Sequence, residues 1–71
     1  MAEPIAIRSE TIRLGQLLKL AGVIDSGAEA RALLAERPAL VNGEPEGRRG
    51  RQLHAGDTVA VEGRELLLTR G

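Results

Sequence analysis

"DSGAEARALLAERP", residues 25–38, holds the start, the buried face and the end of one helix. Ser26 followed three residues later by Glu29 is a capping box, in which each side chain accepts from the other's exposed backbone N–H. Ala30, Leu33 and Leu34 then recur at the spacing of one helical face. Pro38 ends the helix, because the residue before a proline is pushed out of the α region.

The preceding stretch "TIRLGQLLKLAG", residues 11–22, predicts a second helix. Leu14, Leu17, Leu18 and Ala21 fall at i, i+3, i+4 and i+7, the apolar stripe of a helix packed on one side. Thr11 is expected to cap its start and Gly22 to end it in a left-handed conformation. Only Val23, Ile24 and Asp25 lie between Gly22 and Ser26, so the helices form a tight pair.

The flanks read as sheet. "PIAIR", from Pro4 to Arg8, is short, β-branched and alternating, with its proline at the entrance where a missing N–H does least harm. "ALVNGE" carries Asn42-Gly43, a two-residue hairpin signal because both residues tolerate positive φ. Pro45 confines the strand after that turn to an edge or an irregular role. Turns at Gly56-Asp57 and Glu62-Gly63 then bound strands over Thr58 to Val61 and Glu65 to Thr69. The order is strand, paired helices and several strands, with no internal repeat.

A chain of 71 residues is expected to form one domain, residues 1–71. The absence of Phe, Tyr and Trp leaves the core to Leu, Ile, Val and Ala. With no cysteine, disulfides and thiolate chemistry are excluded. No apolar run approaches the length of a membrane span and no signal-peptide pattern opens the chain, so a soluble cytoplasmic protein is expected.

Catalysis finds little support. His54 is the sole histidine, which denies a metal site its usual converging ligands, and no hydroxyl has a visible base beside it. The glycines at 43, 47, 50 and 56 lack the Lys-Ser/Thr pair of a phosphate-cradling loop. No enzyme activity, cofactor, metal or small-molecule substrate is expected.

Charge is more informative in its distribution than in its sum. Ten basic and ten acidic residues cancel, yet "GEPEGRRGRQLHAGD", residues 43–57, places Arg48, Arg49 and Arg51 together with no acid between Gly47 and Ala55. Arginine forks match phosphate oxygens, and glycines at 47 and 50 let backbone approach a ligand. Read alone, the stretch fits either an ordinary solvated loop or a site for a polyanion. Glu44, Glu46 and Asp57 flank it as partial neutralisers, while Arg13, Lys19 and Arg31 lie off the leucine stripes of the helices.

The ordered set "RLGQLLKLAG", "SGAEARALL", "LVNGE", "RRGRQL" and "AGDTVAV" resembles the S-four RNA-binding domain, named for small-subunit ribosomal protein four, and in particular its small stand-alone bacterial members. The resemblance runs from about Thr11 to Glu62. It implies an α+β fold with the alpha-L motif, two short packed helices on a small, mostly antiparallel sheet. It also implies binding of structured RNA, often ribosomal. Carried over by position, Ser26 matches the serine that opens the second helix, Arg31 a basic position on that helix and Lys19 a lysine near the end of the first. Asn42-Gly43 matches the hairpin, and Arg48, Arg49 and Arg51 its arginine-rich continuation. Three positions depart from the pattern: Gly15 where many relatives carry aspartate, Gly27 where many carry a basic residue, and Pro38-Ala39 where a glycine usually precedes the strand.

The residues and the resemblance together point to a binding module. The candidate RNA-binding residues are Arg13, Lys19, Ser26, Arg31, Asn42, Arg48, Arg49 and Arg51, with the cations converging on one basic face that grips phosphates. Without aromatic rings on which unpaired bases could stack, recognition by helical shape and backbone is expected rather than sequence readout. Neutralising about four phosphates would make log K fall with log salt at a slope of roughly −3. The expected partner is structured RNA, with ribosomal RNA a candidate, bound by a monomer without a membrane. A rival class is a protein-interaction module docking on an acidic partner; a ubiquitin-like carrier ending in "TRG" fits poorly, because Gly71 lacks a paired glycine.

Overall fold

The computed structural model describes residues 2–71. Strands β1 (Glu3–Ile7) and β2 (Ile12–Arg13) precede helices α1 (Leu14–Leu20) and α2 (Gly27–Glu36), and β3 (Ala39–Val41), β4 (Glu44–Glu46), β5 (Gln52–Leu53), β6 (Thr58–Val61) and β7 (Arg64–Arg70) follow.

Helix α1 begins at Leu14, where its apolar stripe starts, and later than the expected cap at Thr11 implies. Thr11 does not cap it; Arg13 stands at the N-cap position. The cause is tertiary: Ile12 and Arg13 are drawn into an antiparallel pair with Leu53 and Gln52 of β5. At the other end Val23 N–H donates to Leu18 O at 2.9 Å and Gly22 N–H to Lys19 O at 3.1 Å, a Schellman closure that needs the left-handed φ of +76° at Gly22.

In α2, Ser26 Oγ accepts from Glu29 N–H at 3.3 Å, as the capping-box spacing requires. Among the described residues Glu29 does not return the bond, so half of the box forms, and its carboxylate is left to favour the positive helix start. Arg37, directly before Pro38, takes extended angles (φ −153°, ψ 119°) and ends the helix.

The five-stranded sheet has the order β1-β7-β6-β3-β4. Its β1–β7 pair is parallel, Glu3 opposite Leu66 through Ile7 opposite Arg70, and the others are antiparallel. The fold is thus α+β, two helices on a mostly antiparallel sheet, the alpha-L arrangement implied by the resemblance. Both tight hairpins use left-handed turn residues, Asn42 and Gly43 in one and Glu62 and Gly63 in the other. Pro45 lies on β4 at the sheet edge, where its missing donor is harmless.

One face of the sheet joins the helices in a single aliphatic core. Leu14, Leu17 and Leu18 of α1 and Ala30 and Leu34 of α2 meet Val41, Val59, Leu66 and Leu68 from the strands. Arg64 clasps the layers from the side: its guanidinium donates to both oxygens of Glu3, at 2.9 and 2.7 Å, and to Ala21 O at the end of α1, at 3.0 Å. That contact holds the Glu3 carboxyl below its ordinary range, against the opposing effect of desolvation.

Candidate nucleic-acid interface

The chain between β4 and β5, residues 47–51, contains all three arginines of the cluster. It is not a loose loop. Leu14 N–H donates to Arg51 O at 2.8 Å and Gly15 N–H to Arg49 O at 2.9 Å, so the first orphan donors of α1 are satisfied by the arginine segment itself. Arg49 Nη1 donates to Gly27 O at 3.4 Å, joining the same segment to the start of α2. The arginines are therefore seated where both helices begin.

Two of the departures from the family pattern lie at these contacts. A Cβ at Gly15 would sit 3.4 Å from Arg49 Cβ and 3.5 Å from Arg49 O, at the edge of ordinary contact. A Cβ at Gly27 would meet Arg49 Nη1 at 3.9 Å. Glycine at both helix starts leaves the Arg49 segment close to the backbone of the pair. In a helix interior each glycine would cost on the order of 1 kcal/mol relative to alanine.

Inside the segment a carboxylate organises the charge. Glu46 Oε2 accepts from Arg48 N–H and Arg48 Nε, each at 3.0 Å. Its Oε1 accepts from Arg48 Nη2 at 3.2 Å and from Arg51 Nη1 at 2.9 Å. The Arg48 side-chain bonds, then its backbone N–H and then the Arg51 fork, hold the Glu46 carboxyl from 4.5 down to about 2, so it is ionised at neutral pH. The Glu46 side chain is 9% exposed, whereas Arg48 is 77% and Arg51 39% exposed; the acid sits beneath the arginines. The local sum is three positive charges and one negative.

The structure brings Arg31 of α2 to this place. Arg31, Ala35, Gly47, Arg48, Arg49 and Gly50 line one open depression between α2 and the arginine segment. Arg13 is in backbone register with Gln52, one residue beyond Arg51. Lys19 lies apart, lining a separate depression with Ser9, Ile12, Gln16 and Leu20 towards the other end of α1. Among the described residues none of Arg13, Lys19, Arg31 and Arg49 is in an ion pair.

Ser26 and Asn42 have internal partners. Ser26 Oγ is the α2 cap. Asn42 Nδ2 donates to Asp57 Oδ1 at 3.0 Å, and Asn42 Oδ1 accepts from Thr58 N–H at 2.9 Å, tying the β3–β4 turn to the start of β6. Desolvation works against the charge on Asp57, but hydrogen bonds from Asn42 and His54 outweigh it and lower its pKa. His54 is two-thirds exposed, with Nδ1 3.2 Å from Asp57 Oδ2.

Glu46 is the residue that sequence reasoning underrated, treating it as one flanking neutraliser among three. The available signal was its position: an acid two residues before the arginine pair, within reach of their guanidinium groups.

A domain of two packed helices on a mostly antiparallel sheet, with arginines seated at both helix starts, defines the class of protein. The model of the S4 domain family matches residues 5–69, and the chain belongs to that family. It is also similar to a Bacillus subtilis (strain 168) protein named "Probable ribosome maturation protein RlbA", 57% identical over 63 residues that cover 89% of each chain.

Proposed function

We propose that this protein is a non-catalytic RNA-binding module that grips the phosphate backbone of structured RNA, with ribosomal RNA as its candidate target. The observation that carries the reading is the depression lined by Arg31, Arg48 and Arg49, on a segment fixed to the starts of both helices. A pre-set cationic surface loses less freedom on binding than a mobile loop would. Membership in the S4 family and the relative named for ribosome maturation support an RNA partner connected with the ribosome.

Arg31, Arg48, Arg49 and Arg51 make the main phosphate contacts, with Arg13 beside them. Lys19, at the far end of α1, adds a more distant charge. Ser26 and Asn42 serve the site by fixing backbone. The body is 30 Å in its longest dimension, several Debye lengths of about 8 Å, so acids at its far end scarcely weaken the local field. The module acts in the cytoplasm as a monomer; among the described residues no helix is long and apolar enough to cross a membrane.

The test is a titration of a fluorescein-labelled RNA hairpin at two salt concentrations, with the wild type and an Arg48/Arg49/Arg51 to alanine variant. Salt-sensitive binding by the wild type, lost in the variant, is expected. Equal, weak binding by both overturns the proposal, and retained binding to an acidic protein surface would favour the docking module instead.

A further inference from the structure

Among the described residues Glu46 is the one charged side chain that is buried, and it lies beneath a surface whose task is to attract anions. A carboxylate there has two opposite consequences. It removes one positive charge, which weakens attraction to phosphate. It also immobilises two guanidinium groups and one backbone N–H through four hydrogen bonds.

We infer that Glu46 is a positioning residue for RNA binding, acting through Arg48 and Arg51, and that its ordering effect outweighs the charge it removes. The inference rests on the RNA reading above. A guanidinium carries five N–H donors. Arg48 commits one on Nε and one on Nη2 to Glu46, leaving three, and Arg51 commits one on Nη1, leaving four. Both forks are therefore held in orientation yet still able to donate to phosphate oxygens. The exposure of Arg48, 77% against 9% for Glu46, keeps those remaining donors accessible. The bond from Arg48 N–H to Glu46 Oε2 also fixes the backbone at Arg48, which opens the turn at Arg49-Gly50 closed by Arg51 N–H on Arg48 O at 3.2 Å.

Charge and ordering predict opposite signs. If Glu46 only neutralises, Glu46→Gln adds a net positive charge and RNA binds more tightly with a steeper salt dependence. If Glu46 positions the forks, the same variant binds more weakly despite the added charge, because two long side chains must be ordered anew. Each immobilised side chain of this kind is worth a few-fold in affinity, so the net loss is about five-fold.

The experiment compares wild type, Glu46→Gln, Arg48→Ala and the double variant, binding a fluorescein-labelled RNA hairpin at fixed low salt. The folded state of each is checked by its amide NMR spectrum, and the order of the Arg48 fork by the resolved Nε–H signal of Arg48. Expected are an Nε–H signal in the wild type that is lost in Glu46→Gln, about five-fold weaker binding by that variant, and a much smaller effect of Glu46→Gln in the Arg48→Ala background, as positioning through Arg48 requires. Equal or tighter binding by Glu46→Gln overturns the inference while leaving the RNA reading intact, as do fully additive losses in the double variant. Absence of hairpin binding by the wild type overturns both. A Glu46→Gln protein that fails to fold shifts the test to Glu46→Asp, whose shorter reach should still weaken binding and broaden the Nε–H signal; unchanged binding there is equally fatal.

Discussion

Arg49→Ala removes the one guanidinium of the cluster that has no carboxylate partner among the described residues. The structure supplies the magnitude. Arg31, Arg48, Arg49 and Arg51 less Glu46 give a net local charge of about three, which at about 0.9 per neutralised phosphate sets a slope of log K against log salt near −2.7. A four-fold rise in salt should then weaken wild-type binding about 40-fold, and Arg49→Ala, with a slope near −1.8, only about 12-fold. The slope falls by about one while the base preference stays flat, because a phosphate contact carries no sequence information. Hairpin anisotropy titrations over several salt concentrations measure this directly. Lys19→Ala is the internal control, since Lys19 lines a different depression, and its slope should change less. Should Arg49→Ala leave the slope untouched, or Lys19→Ala reduce it equally, the placement of the interface is wrong.

Other outcomes are equally concrete. Leu66 is completely buried, between Glu3 of β1 and Val59 of β6 in the sheet register, so Leu66→Ala should cost about 2–5 kcal/mol, read as a lower urea midpoint; a loss under about 1 kcal/mol would contradict the packing. The folded pKa of Glu46 lies below its ordinary 4.5, at about 2, so its contribution to stability is complete above 4.5 and is lost as pH falls towards 2. Melting temperatures followed through that window should drop less in Glu46→Gln, and an unaltered acid profile would show that the arginine contacts do not form in solution. Asn42→Asp replaces the amide donor facing Asp57 Oδ1 at 3.0 Å with a second carboxylate; a loss of about 1–3 kcal/mol is expected at neutral pH. That loss should shrink on acidification, and a pH-independent loss would argue against the Asn42–Asp57 contact.

What the sequence determined by itself was local. Ser26 and Pro38 bound α2 because a cap and a proline act within a turn of their own position, Asn42-Gly43 marked a hairpin because both residue types tolerate positive φ, and Glu62-Gly63 marked a turn. The leucine spacing in both helices exposed the buried face for the same reason. The arginine cluster was visible, but as three like charges in a row.

Tertiary structure decided the rest, through contacts between residues far apart in the chain. The start of α1 moved from Thr11 to Arg13 because β5, some forty residues away, takes Ile12 and Arg13 into a ladder. The parallel pairing of β1 with β7 joins nearly opposite ends of the described chain, which no local pattern encodes. The same holds for the candidate interface: Arg31 lines one depression with Arg48 and Arg49 because the arginine segment is bonded both to the start of α1 and, through Arg49 on Gly27 O, to the start of α2. Glu46 became a central residue only once burial gave it two arginines in reach. Propensity and capping act over a few residues, whereas the field a phosphate senses depends on which charges folding brings within a Debye length.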